Sequence, residues 1–566
     1  VSNSCSSNLH FQIMGLSFLA ATVILLPGVL AASPRSVLLS PAYPHSYDEA
    51  LAVYALTGHA NRESPLLWLN ASSQAPGMST PVMWPYPEAD QHWLAYLAKE
   101  QSMHFERLAD SSLCSLLDKV QAVKPQVVRG LVVYEKSDSI NSLPFLAVTA
   151  AGLLDALPVS EKLQSANPCL HKLPVLLNIP AAATFANDIA AYQWGVDKLL
   201  GNSSKRMQVG ACRSWKNYSC GWSDPLGSAA IDVGVAERGF IHNLSPQDPE
   251  QATMFAKILS HLNEGSVFTG WAEPESSMIG LLSKQGALQL CGAPNLAFLR
   301  ILGNGAMRLP HQRSTHRLDT SKHYLVFQSN EGDTPKNAYS FRGGNWFSPA
   351  RGSIPIAWGV DPLIASFFPG LWDYYAKTAS SSDQFFAATG GLGYTYPWAL
   401  PNRDAYFRRA GEAWAKYMPE HDNWVDLWEG GLNETLYERY RKLSNYTVDG
   451  FSQQTIGAAV NTWLPDGTPL FLPDRSLWYP EDKGFCNRSL PLPKLYDCVE
   501  GLVQAVLKGK KTPFFVLIYG ESSYVDVALE MQRRLGKQVN TIGTQDLAEL
   551  GRLAGLNLQN QITTIV

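Results

Sequence analysis

The chain has 566 residues, of which 46% are hydrophobic and 17% charged, and its formal net charge is -4. Length and apolar content suit several domains with sizeable cores, while a balance this close to neutrality gives no basic footprint for nucleic acid. Charge below the roughly 25% of an average soluble protein leaves part of the solubility to something other than ionised side chains.

The first methionine, Met14, stands directly before the apolar run Gly15 to Leu26. Val29 and Ala31 supply small residues at a cleavage site, so residues 1–32 are expected to be upstream sequence and a signal peptide. The alternative is an uncleaved anchor, for which the run is short and interrupted by Pro27-Gly28. Seven Asn-x-Ser/Thr sites, at Asn70, Asn202, Asn217, Asn243, Asn433, Asn445 and Asn487, predict a glycosylated, secreted chain. Cys212 and Cys220 bracket one loop, Cys486 and Cys498 another, and both pairs are predicted as disulfides. Cys114, Cys169 and Cys291 are then three, so one stays reduced or pairs between chains if Cys5 lies outside the mature protein. No later segment approaches a membrane span.

Residues 33–122 read as a first small α/β unit: strand Ser36–Leu39, helical Tyr47–Leu56, strand Pro65–Leu69, and helical Trp93–Leu97 packed beneath. Arg62, in the turn before the second strand, either braces a loop against carbonyls or binds a ligand. Residues 123–228 form a second unit, opening on the β-branched strand Val127–Tyr134 and continuing through a helix, Leu146–Leu157, and a strand, Leu173–Leu177. Gly201–Asp224 reads as a surface loop stapled by Cys212 and Cys220. In the third unit, 229–320, a helix from Pro249 to Leu262 leads to strand Ser266–Gly270. That strand ends in Trp271-Ala272-Glu273-Pro274-Glu275. The loop either overhangs the active site, with Trp271 against substrate, or opens a helix, where Pro and Glu are favoured. Arg308 to Ser321 is a polar, basic linker.

From 321 to 566 strands and helices alternate. Strand candidates are His323–Phe327, Ile354–Trp358, Gln384–Ala388, Asn423–Trp428, Thr447–Phe451, Thr468–Leu472, Pro513–Ile518 and Val539–Ile542. Helical stretches such as Ala405–Tyr417 and Val525–Leu535 lie between them. The fold class expected is α/β: small N-terminal α/β domains followed by a C-terminal (β/α) TIM-like barrel, whose function would sit in the loops after its strands.

The most informative stretch is Ala387 to Trp398, AATGGLGYTYPW. An apolar strand runs into Gly390 and Gly391, which let the backbone turn sharply, and Gly393 permits close approach. Tyr394, Tyr396 and Trp398 then set three aromatic rings at a strand end, an arrangement suited to stacking on a sugar while hydrogen-bonding its hydroxyls. Gly391, Gly393, Tyr394, Tyr396 and Trp398, with Trp358 beside them and Trp271, are therefore the expected carbohydrate-binding residues. Gly391-Leu392-Gly393-Tyr394-Thr395-Tyr396-Pro397 resembles the signature of the GxGYxYP family of putative glycoside hydrolases, and the likeness runs from about Val37 to Gly555. Leu56 to Arg62 is similar to that family's glycine-asparagine-arginine turn. The resemblance implies the family's fold and an activity on carbohydrate.

Glycoside hydrolysis needs two carboxyl groups astride the scissile bond, one protonated and one ionised. Asn330-Glu331-Gly332-Asp333-Thr334 follows the first predicted barrel strand, where the resembled family carries Ser-Asp-Gly-Asp-Asn. Glu331 replaces an aspartate and Thr334 the asparagine. Asp333 is the first candidate, Glu331 the second, and Glu429, after the NWVDLW strand, the best partner from a different strand. Asp361, Asp383, Asp449 and Glu521 are further acids near strand ends. Only His323 and His421 lie beyond residue 320, too few to favour a zinc site or a Ser-His-Asp triad. Tyr519 to Tyr524 lacks the closing glycine of a nucleophile elbow, so Ser522 or Ser523 reads as a helix cap. No cofactor is predicted, although an oxygen-ligated divalent cation on Glu331 and Asp333, with metal-assisted hydrolysis, stays open. The expectation is a secreted glycoside hydrolase cleaving a polysaccharide or glycoconjugate by carboxylate acid/base catalysis. The alternative is a non-catalytic glycan-binding or surface-structural protein using the same aromatic cleft.

Overall fold

The structure is a computed structural model that describes residues 35–40, 46–70, 88–108, 112–135, 137, 139–211, 230–310, 317–329, 334–418, 423–428, 433–454, 458–477, 485–486, 490–520 and 524–565. Among them, three small parallel sheets precede one large sheet. The first has the order β2-β1-β3, from β1 (Arg35–Leu39), β2 (Leu67–Trp68) and β3 (Met103–Arg107). In the second, β4 (Gly130–Tyr134) lies between β5 (Ala156–Ser160) and β6 (Val175–Asn178). The third runs β10-β9-β7-β8, from β7 (Met207–Gly210), β8 (Phe240–His242), β9 (Val267–Gly270) and β10 (Leu288–Leu290). β7 sits inside this sheet although it precedes residue 229, where the third unit was expected to begin.

The helix Tyr47–Ala60 is buried nearly all round, as an apolar helix wrapped by other elements must be. Ser46 caps it by accepting from the Glu49 N–H at 3.2 Å. Just past its end, Arg62 donates to the carbonyls of Gly152 (3.1 Å), Val235 (2.9 Å) and Ala236 (3.2 Å) and pairs with Asp155. It therefore braces the first unit against the other two. The Trp93 ring lies among Tyr339, Phe341 and Tyr374, and its indole donates to the Tyr339 carbonyl at 2.9 Å. The helix Ala89–Glu100 thereby fastens the first unit to the C-terminal region.

Among the described residues the large sheet has nine strands: β11 (His323–Ser329), β12 (Ile356–Val360), β13 (Asp383–Ala387), β14 (Trp424–Trp428), β15 (Gly450–Gln454), β16 (Val460–Trp463), β17 (Pro469–Leu472), β18 (Phe515–Gly520) and β19 (Val539–Ile542). The eight predicted strands are all present, and β16 is an antiparallel addition on β17. Among the described residues their pairing does not close into the expected TIM-like ring. The order is β16-β17-β15-β14-β13-β12-β11-β18, with β19 paired to the first half of β11 and β12 only to Gln328 and Ser329 at its end. The sheet is a curled half-barrel. Its two end strands meet through one side chain, since the Asn461 amide donates to the Phe515 carbonyl (2.9 Å) and accepts from its N–H (2.7 Å).

The C-terminal helix, Thr544–Ile565, packs on this sheet. Leu547, Leu550 and Ala554 pack with Val326, Phe386, Phe471 and Leu517 in one core, so the helix covers the apolar part of the concave face. The opposite face, with Leu325, Phe327 and Val425, joins the larger core shared with the N-terminal units. No helix of the described residues is long and apolar enough to cross a membrane.

Cys486 and Cys498 form a disulfide, and so do Cys114 and Cys169, which ties the first unit to the second. Cys291, the third of the three unassigned cysteines, is a buried thiol. Cys212 and Cys220 lie outside the described residues.

Candidate functional site

β13 discharges into the glycine-rich loop as predicted, with Gly390, Gly391 and Gly393 at φ of 102°, 100° and 70°. A Cβ on Gly391 would stand 2.6 Å from the Trp414 ring, and one on Gly393 would stand 2.6 Å from the Leu288 Cβ. These positions need glycine for both conformation and space. The Gly390 carbonyl accepts from the hydroxyls of Tyr406 (2.8 Å) and Tyr440 (2.6 Å), and the Gly391 carbonyl from the Trp414 indole (2.8 Å).

The aromatic rings are not the expected cleft floor. Tyr394 and Tyr396 are each 2% exposed, and Trp398, 36% exposed, stacks on Tyr396 at 5.9 Å. The Tyr394 backbone pairs antiparallel with Gln289 of β10 (2.9 and 3.2 Å), and its hydroxyl donates to Glu275 at 2.7 Å. Ser283 adds its hydroxyl to that of Thr395 and accepts from the Tyr396 N–H, both at 2.9 Å. The loop is thus the dock between the third unit and the curled sheet. Tyrosine, with an apolar body and a polar tip, serves a domain junction as well as a sugar.

Trp358 is also core: it is fully buried against Trp346 and donates to Asp383 at 2.7 Å. Asp383 is further held by Arg351 and Ser380 at the start of β13, the end away from the predicted site. Asp449 likewise precedes β15, while Asp361 follows β12 and accepts from the Leu363 N–H at 2.9 Å. Trp271 is partly buried, donates to Glu273 at 2.8 Å, and precedes a helix, Glu275–Lys284. Asp333, Glu331, Glu429 and Glu521 lie outside the described residues, as do Asn217 and Asn487. Asn202, Asn433 and Asn445 are exposed and Asn70 is half-buried. Asn243 is 8% exposed and accepts from the Tyr192 hydroxyl at 2.6 Å, an engaged amide with little room for a glycan.

What the sequence reading missed is a polar layer on the concave face. Side chains alternate along a strand, so Gln328 shares the face of Val326, and Asp426 that of Trp424. In register, Asp426 lies beside Ser452, and Gln328 beside Tyr519. Asp426 Oδ1 accepts from Ser452 (2.6 Å) and from the Tyr519 hydroxyl (2.9 Å), and the Trp424 indole donates to Ser452 (2.9 Å). Burial, and then the Asp426 charge, push the Tyr519 phenol well above its ordinary pKa, so it stays a donor. These residues lie toward the strand ends that lead into the segments carrying Asp333 and Glu429. The period-2 reading of NWVDLW, with Val425 and Leu427 on one face and Asp426 on the other, was the signal available.

Residues 321–550 match the family described as GxGYxYP putative glycoside hydrolase C-terminal domain, and residues 216–299 match the GxGYxYP third domain. The chain belongs to the GxGYxYP family. In this GxGYxYP protein the signature's glycines pack against Trp414 and Leu288, its first tyrosine reaches Glu275, and its proline opens the short turn Pro397–Ala399. A crystal structure of a putative hydrolase from Bacteroides thetaiotaomicron VPI-5482 has a TM-score of 0.72 at 16% identity, covering 93% of this chain and 95% of its own, which shows a shared fold. A crystal structure of a putative polysaccharide deacetylase from Mycobacterium smegmatis has a TM-score of only 0.30 at 12% identity, covering 44% of this chain and 96% of its own. No curated protein sequence matches the chain.

Proposed function

We propose that this GxGYxYP protein is a secreted glycoside hydrolase, cleaving a polysaccharide or glycoconjugate by carboxylate acid/base catalysis at the C-terminal edge of its curled sheet. The observation that carries the reading is Asp426, buried and held by two hydroxyls in the polar layer of that face. β11 and β14 lead in sequence from this layer to Glu331 and Asp333 and to Glu429. Asp333 is assigned the first catalytic role, with Glu331 or Glu429 as its partner, one carboxyl protonating the leaving oxygen and the other serving as nucleophile or base. Asp426 supplies charge and hydrogen bonding within the polar layer, through Ser452 and Tyr519. A divalent cation has no assigned role, so chelation is expected to leave hydrolysis unchanged. The two disulfides and the exposed sequons support secretion. The alternative, a non-catalytic glycan-binding or surface-structural protein, draws on the same aromatic loop, in which Tyr394 and Tyr396 are buried.

The test is hydrolysis of a polysaccharide panel by the purified protein, read as reducing ends, with Asp333→Asn alongside at matched melting temperature. Release by the wild type and its loss in the variant are expected. If no polysaccharide is cut while one binds both proteins equally, the catalytic reading falls.

A further inference from the structure

Gln328 is fully buried, and among the described residues neither the oxygen nor the nitrogen of its side-chain amide has a hydrogen-bond partner. Its place on the concave face is set by alternation with Val326 and by register with Tyr519. Tyr519, its register neighbour on the adjacent strand, donates to Asp426, so the three residues belong to one layer. Beneath lie Val326 and Leu517, both apolar. A buried amide with both ends unmet costs stability, and buried polar groups are as a rule satisfied by protein, water or ligand. The amide offers an acceptor and a donor side by side, which complements two neighbouring hydroxyls, one donating and one accepting.

We propose that Gln328 is a substrate-binding residue that takes two adjacent hydroxyls of a single sugar unit, seated in the polar layer with Tyr519 and Asp426. The inference rests on the glycoside hydrolase reading and adds the group that recognises the sugar. It makes the layer a pocket for one monosaccharide unit of the chain. A site built around such an amide discriminates strongly for the hydroxyls it pairs, because its polar atoms are otherwise unpaired.

The experiment compares the full chain with Gln328→Met, which keeps length and shape but cannot hydrogen-bond as an amide, and with Gln328→Leu should the first fail to fold. Glucose, galactose, mannose, xylose and N-acetylglucosamine are titrated by calorimetry, and melting temperature and kinetics on any polysaccharide cleaved are recorded. Expected is a variant melting at or above the wild type, with binding of one monosaccharide weakened about tenfold or more and KM raised. The inference is overturned if the wild type binds none of these sugars, or if the variant binds them and turns over unchanged. A variant that loses stability but not binding also overturns it, since the amide then serves a structural water. Hydrolysis retained unchanged by the variant sinks this inference alone, whereas a Gln328-dependent sugar without hydrolysis sinks the catalytic reading.

Discussion

Tyr394 donates its hydroxyl to Glu275 at 2.7 Å across the junction of the third unit and the curled sheet. The signature residue is therefore a domain fastener. Tyr394→Phe is expected to cost about 1.5 kcal/mol, the lower end for a hydrogen bond to a charged group because Glu275 is only half-buried. Urea unfolding measures it; a variant as stable as the wild type would show that the contact holds nothing.

Gly391→Ala combines a φ of 100° with a collision against the Trp414 ring. Strain and overpacking together predict a loss of about 3 kcal/mol. Trp398→Ala, at the exposed end of the same loop, should cost about 1 kcal/mol from its stacking on Tyr396. Melting temperatures of the two variants side by side check the contrast, and equal losses would argue against it.

Asp426 and Tyr519 share a hydrogen bond in a buried network, so their substitutions should not add. A double-mutant cycle with Asp426→Asn and Tyr519→Phe is expected to give a coupling of about 1–3 kcal/mol in stability. On a cleaved substrate, Asp426→Asn should lower kcat more than it raises KM. Additive stabilities would remove the network.

Three buried titrating groups set the pH dependence. Burial lowers His59 to about 4 and His242 to about 3, each from an ordinary 6.5. Their neutral folded forms contribute stability that is present above 6.5 and lost as pH falls through those values. Asp232, raised by burial from 3.8 to about 7, acts in the opposite sense: its contribution is present below 3.8 and lost as pH rises toward 7. Melting temperature should therefore fall as pH drops from 6.5 toward 4. The fall should be steeper in Asp232→Asn, which lacks the opposing group; parallel curves would count against this account.

The eight parallel strands of the large sheet were legible because each is a run of apolar or alternating residues closed by turn signals. β3 was not, because in MHFER the alternation lasts only four residues and only Met103 is fully buried. β5 was read as the end of a helix, since its Ala156 and Leu157 continue an apolar run. The helix in fact stops at Asp155, whose φ of 54° breaks it before the strand begins. Arg62 could be read as a brace or as a ligand contact, and its carbonyl partners, which make it a brace, come from two distant units.

The sequence by itself determined the family, the alternation of strands and helices, and the glycine turn after β13, because these depend on local pattern and backbone conformation. Tertiary structure decided three other things. It left the sheet a curled half-barrel with the helix Thr544–Ile565 packed on it, buried Tyr394 against a residue 119 positions away, and joined Asp426 to Tyr519 across 93. Each depends on which surfaces meet when the units pack, and a side chain's partner across such separations is set by that packing and not by its neighbours in sequence.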